Sequence, residues 1–447
     1  MTDNNTTDPA STPAAAPEGL HLPAPVPESL RGKKIVLVNH GDTLGGAAVV
    51  TFRLMQALRE RGLDVKMIVY TKNSNEELVE TVATRYVRGM AFCLERAWMW
   101  IFGGVARENI FKVSTGDFAV NIHRHKWVKE ADIICLNWFN QGLLNFRGLK
   151  KLHRMGKKLI WTMHDLWAFT GICHHPQQCD HYRDKCGGCM YLESGGSLTD
   201  LSHRVWEKKK KTYAEVPITF VAVSKWLEEK ARSSSLLCDK PVMTIHNPFP
   251  IHRYFTRPTV NVGSLSLGSY KPNLIIMAAA RLDDPIKGLD IAIEALNHIF
   301  DHYPEEAQKT AIYFVGAIRN PSVLSQLRFS FRHLGLIRDE KVLRILYSMA
   351  KIVLSTSLYE TLGATLVEGQ AAGAIPVTFG GDGREDVVRH LETGYIARGR
   401  DARSIADGIL WAIRNDIDRD MLHREALNNF GAEACTDRYI ELFSSLV

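Results

Sequence analysis

Short runs of aliphatic and β-branched residues alternate with longer stretches whose apolar positions recur at helical spacing. Lys34-IVLVN, Val65-KMIVYT, Asp132-IICLN, Lys158-LIWTM and Ile218-TFVAV each read as a buried strand. Between the first two, Ala47 to Arg61 carries its apolar residues on one helical face. The rhythm breaks from His246 to Pro272, where prolines, glycines and serines cluster, and then restarts. Leu274-IIMAAA, a helix from Gly288, Ala311-IYFVG, a helix from Asp339 to Ala350 and Ile352-VLST follow in order. Almost wholly apolar strands separated by helices predict parallel sheets covered on both faces. The chain therefore reads as α/β, with two Rossmann-like doubly wound domains. Their strand carboxyl ends would point into one central cleft.

Composition agrees with that class and narrows the partners. The 447 residues suffice for two or three domains, and 45% hydrophobic with 23% charged residues is an ordinary water-soluble balance. A net charge of +6 is a mild excess, suited to anionic small molecules or an anionic membrane surface. It carries no nucleic-acid recognition motif, so nucleic acid is not an expected partner. The basic residues gather locally, as Arg85, Arg88, Arg96, Arg107 and Lys112, and as the run Lys208 to Lys211. Residues 1–31 are rich in Pro, Ala, Ser and Thr and read as a disordered tail, lacking the basic start and apolar middle of a signal peptide. The longest uncharged apolar run, Ala97 to Ala106, falls well short of the ~20 residues of a spanning helix, so no membrane crossing is predicted.

The chemistry-bearing residues lie where strands end. Ser357-LYETLGATLVEGQ sets Glu360 after a strand, Thr361-Leu362-Gly363 at the mouth of a helix, and Glu368 a turn further in. The first N–H groups of a helix suit phosphate oxygens, and Gly363 allows close approach. Acids on both sides of such a cradle would hold the hydroxyls at the two ends of a nucleotide sugar. Arg281-LDDPIKGL adds two cations, Arg281 and Lys287, able to neutralise a departing diphosphate. A surface ion pair with Asp283 or Asp284 is the alternative. His40-GDTLGGAAVV opens the first helix at Gly45 and Gly46 without the dinucleotide glycine fingerprint. His164 and Asp165 end a buried strand in Trp161-TMHDLWAFTGICHH.

Cys173, Cys179, Cys186 and Cys189 crowd into one loop, 173–189, that also holds His174, His175 and His181. Four sulfurs, the last two in a CxxC, read as a structural zinc site, a histidine replacing one sulfur if needed. Two disulfides or reduced thiols are the alternatives.

Taken together, Glu360 and Glu368 in an E-x7-E pair, Arg281 with Lys287, and the Gly45-Gly46 loop resemble the retaining glycosyltransferases of the family-four type, which have a GT-B fold. The segment WTMHDLWAFTGICHH with its CGGC is similar to a branch acting in bacterial exopolysaccharide assembly, including colanic acid glycosyltransferases of the WcaC kind. The resemblance implies transfer, with retention, from a nucleoside diphosphate sugar to a hydroxyl of a lipid-linked or other oligosaccharide acceptor, in bacterial surface polysaccharide biosynthesis.

It further implies that Arg281, Lys287 and the backbone at Thr361, Leu362 and Gly363 bind the donor diphosphate, with Gly45 and Gly46 approaching from the other domain. Glu360 and His164 would meet the transferred sugar, Glu368 the ribose, and Asp165 is an acceptor-side candidate. No cofactor is expected for catalysis. The implied division is an acceptor domain over 32–245, a linker over 246–271, a nucleotide-sugar domain over 272–428 and a final helix over 429–447 returning to the first domain. Arg85 to Lys112 and Lys208 to Lys211 are then candidates for touching the inner face of the cytoplasmic membrane, the protein itself being cytoplasmic. A nucleotide-sugar epimerase or phosphorylase on the same fold, or a non-enzymatic interaction protein built on a zinc loop, are the competing readings.

Overall fold

A computed structural model describes residues 23–120, 122–256 and 271–447. Most of the expected tail (1–22) and much of the expected linker (257–270) lie outside the described residues. The first sheet comprises β1 (Lys34–Gly41), β2 (Asp64–Thr71), β3 (Val79–Thr81), β4 (Ile133–Leu136), β5 (Lys158–Met163), β6 (Ile218–Ala222) and β7 (Val242–Thr244). Its order is β3-β2-β1-β4-β5-β6-β7, each described pair parallel. The second comprises β8 (Asn273–Arg281), β9 (Thr310–Ala317), β10 (Phe331–His333), β11 (Ile352–Ser355), β12 (Ile375–Phe379) and β13 (Tyr395–Ala397). It runs β10-β9-β8-β11-β12-β13, again parallel throughout the described pairs. Two Rossmann-like sheets thus build the expected GT-B architecture.

The strands that the apolar pattern missed are short or carry a misleading residue. β3, β7, β10 and β13 have three residues each, too few to show a period. β12 contains Pro376, which argues against a central strand. Here the missing N–H costs little. Ile375 donates toward β11, so the next residue's N–H would face β13, where pairing begins only at Val377.

The last helix, Ala432–Leu446, belongs spatially to the first domain. Tyr439, Ile440, Leu442 and Phe443 join the core formed by β1, β2 and the helix Gly46–Glu60. The Tyr439 hydroxyl lies 3.0 Å from Thr162 Oγ1 on β5, and Asp437 bonds Arg61. Asp437 also accepts from the Ala24 N–H at 3.0 Å, and Leu30 is buried. Residues 24–31, expected within the tail, are therefore packed onto this helix: one apolar side chain and one backbone bond give the segment something to bury. The helix thus follows the helix Arg419–Phe430 in the chain while its apolar face packs on the first domain.

Candidate active site in the seam

The second domain presents its strand-end loops as one clamped unit. Gly288 turns the chain at φ +59°, and an added Cβ would meet the Thr356 carbonyl at 2.4 Å. Glycine is required there by conformation and by space. Thr356 Oγ1 donates to the carbonyls of Lys287 and Gly288, and the Leu358 N–H donates to the Ile286 carbonyl at 2.7 Å. These bonds carry Lys287 to Glu360, Nζ to Oε1 2.7 Å. Burial alone would raise the Glu360 carboxyl; the Lys287 ammonium and hydrogen bonds outweigh it and hold the group below its ordinary value.

Beneath this pair sits a charge network the sequence did not single out. Arg384 and Asp382 are buried and joined in two parallel bonds, Nε to Oδ1 and Nη2 to Oδ2, both 2.8 Å. Arg384 Nη1 also donates to the Ser357 carbonyl at 2.7 Å, and Asp382 Oδ2 accepts from the Glu360 N–H at 3.1 Å. Gly363, at φ +92°, begins the helix Ala364–Ala371 with the Arg384 side chain against it. The only prior signal was Gly380-GDGRED after an apolar run, a pattern that many solvated loops share.

Arg281 ends β8 and is engaged within its own loop, Nη2 to Asp284 Oδ2 at 2.7 Å and Nε 3.7 Å from Asp283 Oδ1. The ion-pair alternative therefore describes its resting contacts. Its Nε atom is buried with no hydrogen-bond partner among the described residues, leaving a donor to spare. Glu368 reaches across the seam. Arg53, on the helix that Gly45 and Gly46 open, approaches Glu368 Oε1 at 3.3 Å and Glu340 at 3.1 Å. Burial raises the Glu368 carboxyl above its ordinary value, with Arg53 opposing. Added Cβ atoms on Gly45 or Gly46 would meet nothing within 4 Å, so space opens in front of that helix.

On the first-domain side, rings and amides hold the site. His164 Nε2 lies 3.0 Å from Asn137 Oδ1, while Asn137 Nδ2 donates to the Cys135 carbonyl. That amide orientation makes Nε2 the protonated nitrogen and leaves Nδ1 as an acceptor. Burial pushes the imidazole down to about 4, so it is neutral at pH 7. His40 is likewise pushed to about 4 by burial and stacks on Tyr70 at 4.6 Å.

Asp165 is not an open acceptor-side group. Its Oδ2 takes bonds from Trp138 Nε1 and His174 Nδ1, both at 2.7 Å, and its Oδ1 takes the Trp167 N–H at 2.9 Å. Burial would raise this carboxyl, but His174 and these donors bring it to about 2. A buried carboxylate with three donors already on it orients its neighbours.

The structural zinc expected in loop 173–189 finds no ligand set. Among the described residues, no group of three or more His, Cys, Asp or Glu side chains is arranged to hold a metal ion. Cys173, Cys179, Cys186 and Cys189 are all free thiols, so the disulfide alternative fails as well. Burial raises Cys173, Cys186 and Cys189, and the neighbouring sulfurs of the loop add to the rise, so the four thiols lie near one another. Cys186 Sγ accepts the Gly171 N–H at 3.1 Å. Two of the loop's three histidines bond elsewhere, His174 with Asp165 and Ser114 and His181 with the Gly187 carbonyl.

The run Lys208 to Lys211 does not make a patch. Successive residues of the helix Leu201–Glu215 fan out by about 100°, so four cations cannot share one face. Lys209 is buried against Trp167, 3.7 Å from the ring centroid, and donates to the Trp167 and Thr170 carbonyls. Lys208 pairs with Asp117 at 2.7 Å. A cavity of about 620 Å³ opens at the opposite, amino-terminal ends of the strands, lined by Lys158, Ile218 and Leu446 among others. None of the residues above lines it.

Comparison with known proteins follows the two-domain division. Residues 44–253 match the family model Glycosyltransferase Family 4, and residues 266–429 match Glycosyl transferases group 1. A GDP-Man:Man(3)GlcNAc(2)-PP-Dol alpha-1,2-mannosyltransferase of Dictyostelium discoideum is 31% identical over 146 residues, 29% of this chain and 28% of the relative. The putative colanic acid biosynthesis glycosyl transferase WcaC of Escherichia coli is 27% identical over 81 residues, 18% of this chain and 20% of the relative. The chain thus spans under a third of either curated relative. In structure, HepE of Anabaena, solved with UDP and glucose, overlays 93% of this chain and 100% of its own with a TM-score of 0.61 at 15% identity. With one family model on each lobe and a GT-B neighbour along nearly its whole length, the chain belongs to the glycosyltransferases of the family-four type.

Proposed function

We propose that the protein moves a sugar from a nucleoside diphosphate sugar to a hydroxyl of an oligosaccharide acceptor, with retention at the reacting carbon. The observation that carries this is the Lys287–Glu360 pair, 2.7 Å apart at the head of the helix Ala364–Ala371 and pinned from below by Asp382 and Arg384. A fixed ammonium beside a fixed carboxylate suits a ligand with a charged leaving group next to a polyol. The carboxylate accepts sugar hydroxyls, while Lys287 and the spare donor of Arg281 meet charge that grows on the departing diphosphate. Neutral His164 offers an acceptor nitrogen to the same sugar, and Glu368, shared with Arg53, takes the ribose. As the bond from the reacting carbon to the phosphate oxygen breaks, the acceptor oxygen bonds that carbon from the same face. Its proton passes to the leaving phosphate.

The acceptor is read as lipid-linked, which fits an exposed apolar face on the first domain. Tyr86, Met90, Leu94, Trp100 and Ile101 stand out from the helix Arg85–Ile101, joined by Phe102 and Phe111. Arg85, Arg107 and Lys112 are exposed around them, whereas Arg88 stacks on Tyr70 and Arg96 is buried with Glu95. Apolar side chains flanked by cations suit the interface of an anionic leaflet. No described helix is long and apolar enough to cross a membrane. The assignment to bacterial surface polysaccharide assembly, at the inner face of the cytoplasmic membrane, rests on the WcaC likeness.

Thermal-shift titration with UDP, GDP, UDP-glucose and GDP-mannose tests the donor reading. One base raises the melting temperature of the wild type and fails to raise that of Lys287→Ala. Product NMR with the turned-over donor reports retention, and inversion would refute it. Trp100→Glu with Phe102→Glu is expected to abolish sedimentation with phosphatidylglycerol vesicles; unchanged sedimentation would remove the membrane surface.

A further inference from the structure

Beside Glu360 two polar atoms are buried with nothing to bond. His175 Nδ1 and the Tyr359 phenolic oxygen are both enclosed, and neither has a hydrogen-bond partner among the described residues. Their rings meet edge to face with centroids 4.7 Å apart. His175 comes from the loop after β5 and Tyr359 from the loop after β11, so each domain supplies one. Buried polar groups are almost always satisfied by protein, water or ligand. Two orphans in contact, in a cleft and one residue from the Lys287–Glu360 pair, ask what satisfies them.

Both side chains are held in place. Pro176 restricts the His175 backbone to extended conformations. The Tyr191 hydroxyl bonds the His175 carbonyl, and the adjacent His174 N–H bonds the Lys112 carbonyl at 3.1 Å. On the other side Tyr359 packs on Trp226 at 5.4 Å, and the following N–H is bonded to Asp382. Burial lowers the His175 imidazole, with Asp165, His174, Glu360 and Lys287 the charges around it.

An imidazole nitrogen and a phenol can together accept and donate once each, the complement of a single hydroxyl. A phosphate would call for cationic or N–H donors on both sides. The geometry points to a clamp in which His175 and Tyr359 hold a hydroxyl of the acceptor sugar. This rests on the transferase reading and deepens it on the acceptor side. The donor's own hydroxyls are already met by Glu360, His164 and Glu368. Because each domain supplies half, the clamp forms only when the lobes are together, which couples acceptor recognition to closure.

Tyr359→Phe removes only the phenolic oxygen, and His175→Leu removes the nitrogens while keeping an apolar contact. Octyl glucoside, octyl galactoside and octyl mannoside, below their micelle concentrations, serve as acceptor probes for calorimetry on protein saturated with UDP or GDP, whichever binds. At least one glycoside is expected to bind the wild type and to weaken about tenfold in each variant. Nucleotide affinity should stay unchanged. Since the phenol has no bond to lose in the free protein, the melting temperature of Tyr359→Phe should not fall. Unchanged glycoside affinity, nucleotide affinity that weakens instead, no glycoside binding to nucleotide-loaded wild type, or a clear drop in the Tyr359→Phe melting temperature would each overturn the clamp. Failure of the wild type to bind either nucleotide would overturn the transferase reading itself.

Discussion

The two lobes meet the cleft by different means. The second domain holds its loops with ions: Arg384 and Asp382 are buried as a bidentate pair, and Lys287 and Glu360 stand on them. The first domain holds its loops mainly with rings and amides: His40 on Tyr70, His164 on the Asn137 amide, and an indole, an imidazole and a backbone N–H gathered around the one buried carboxylate of Asp165. The difference matches the work proposed for each side. A leaving diphosphate needs fixed charge that costs no reorganisation as the reaction proceeds. A hydroxyl nucleophile and a sugar face need oriented neutral donors and acceptors, which do not attract a stray anion.

The comparison breaks first at Arg384. Arg384→Met leaves Asp382 buried without a counter-charge, and a loss of about 3–5 kcal/mol in urea-unfolding stability is expected. A loss under about 1 kcal/mol would show that the ionic scaffold is dispensable. Lys287→Ala should separate site from scaffold: transfer falls by a factor equivalent to about 3–4 kcal/mol, while loss of this partly exposed pair costs stability only about 1 kcal/mol. Steady-state kinetics beside urea melts measure both.

Proton linkage sharpens the neutral side. Burial places His40 and His164 at about 4 against an ordinary 6.5, so the unfolded chain takes up protons first as pH falls. Stability is therefore present above about 6.5 and lost progressively down to about 4, by about 1–3 kcal/mol for each histidine. Melting curves across that window should flatten in His164→Gln. At the seam, Arg53→Ala strips Glu368 of its partner, and about 1–2 kcal/mol is expected from denaturant melts, with faster proteolysis between the domains. Outside both sites, Lys208→Ala breaks an exposed pair with Asp117 and should move stability by no more than about 0.5 kcal/mol.

Residues brought close by local chain geometry were easiest to read. Glu360 and Glu368 lie on one strand–turn–helix unit, and Arg281 and Lys287 on another, so their placement at strand ends follows from the apolar pattern. Local spacing alone was the weaker guide. Loop 173–189 has metal-like spacing and brings its sulfurs near one another, yet among the described residues no group of three or more ligands is arranged to hold a metal ion, and Asp165 at its strand end already takes three hydrogen bonds. The lysine run lost its single face to the pitch of the helix. Arg384, Asp382, Arg53, His175 and Tyr359 were not singled out by local pattern, because what gives each its place is a contact with a segment distant in sequence.

Periodicity by itself determined two parallel α/β domains, since a strand buried on both faces must be apolar throughout and a crossover helix must be amphipathic. It also placed the chemistry at the carboxyl ends of the strands. Only the tertiary structure decided which charges are paired, which polar atoms are left without partners, and which core residues the last helix meets on the first domain. Those outcomes depend on desolvation and on distances between segments far apart in the chain, and neither quantity is written in any local stretch of residues.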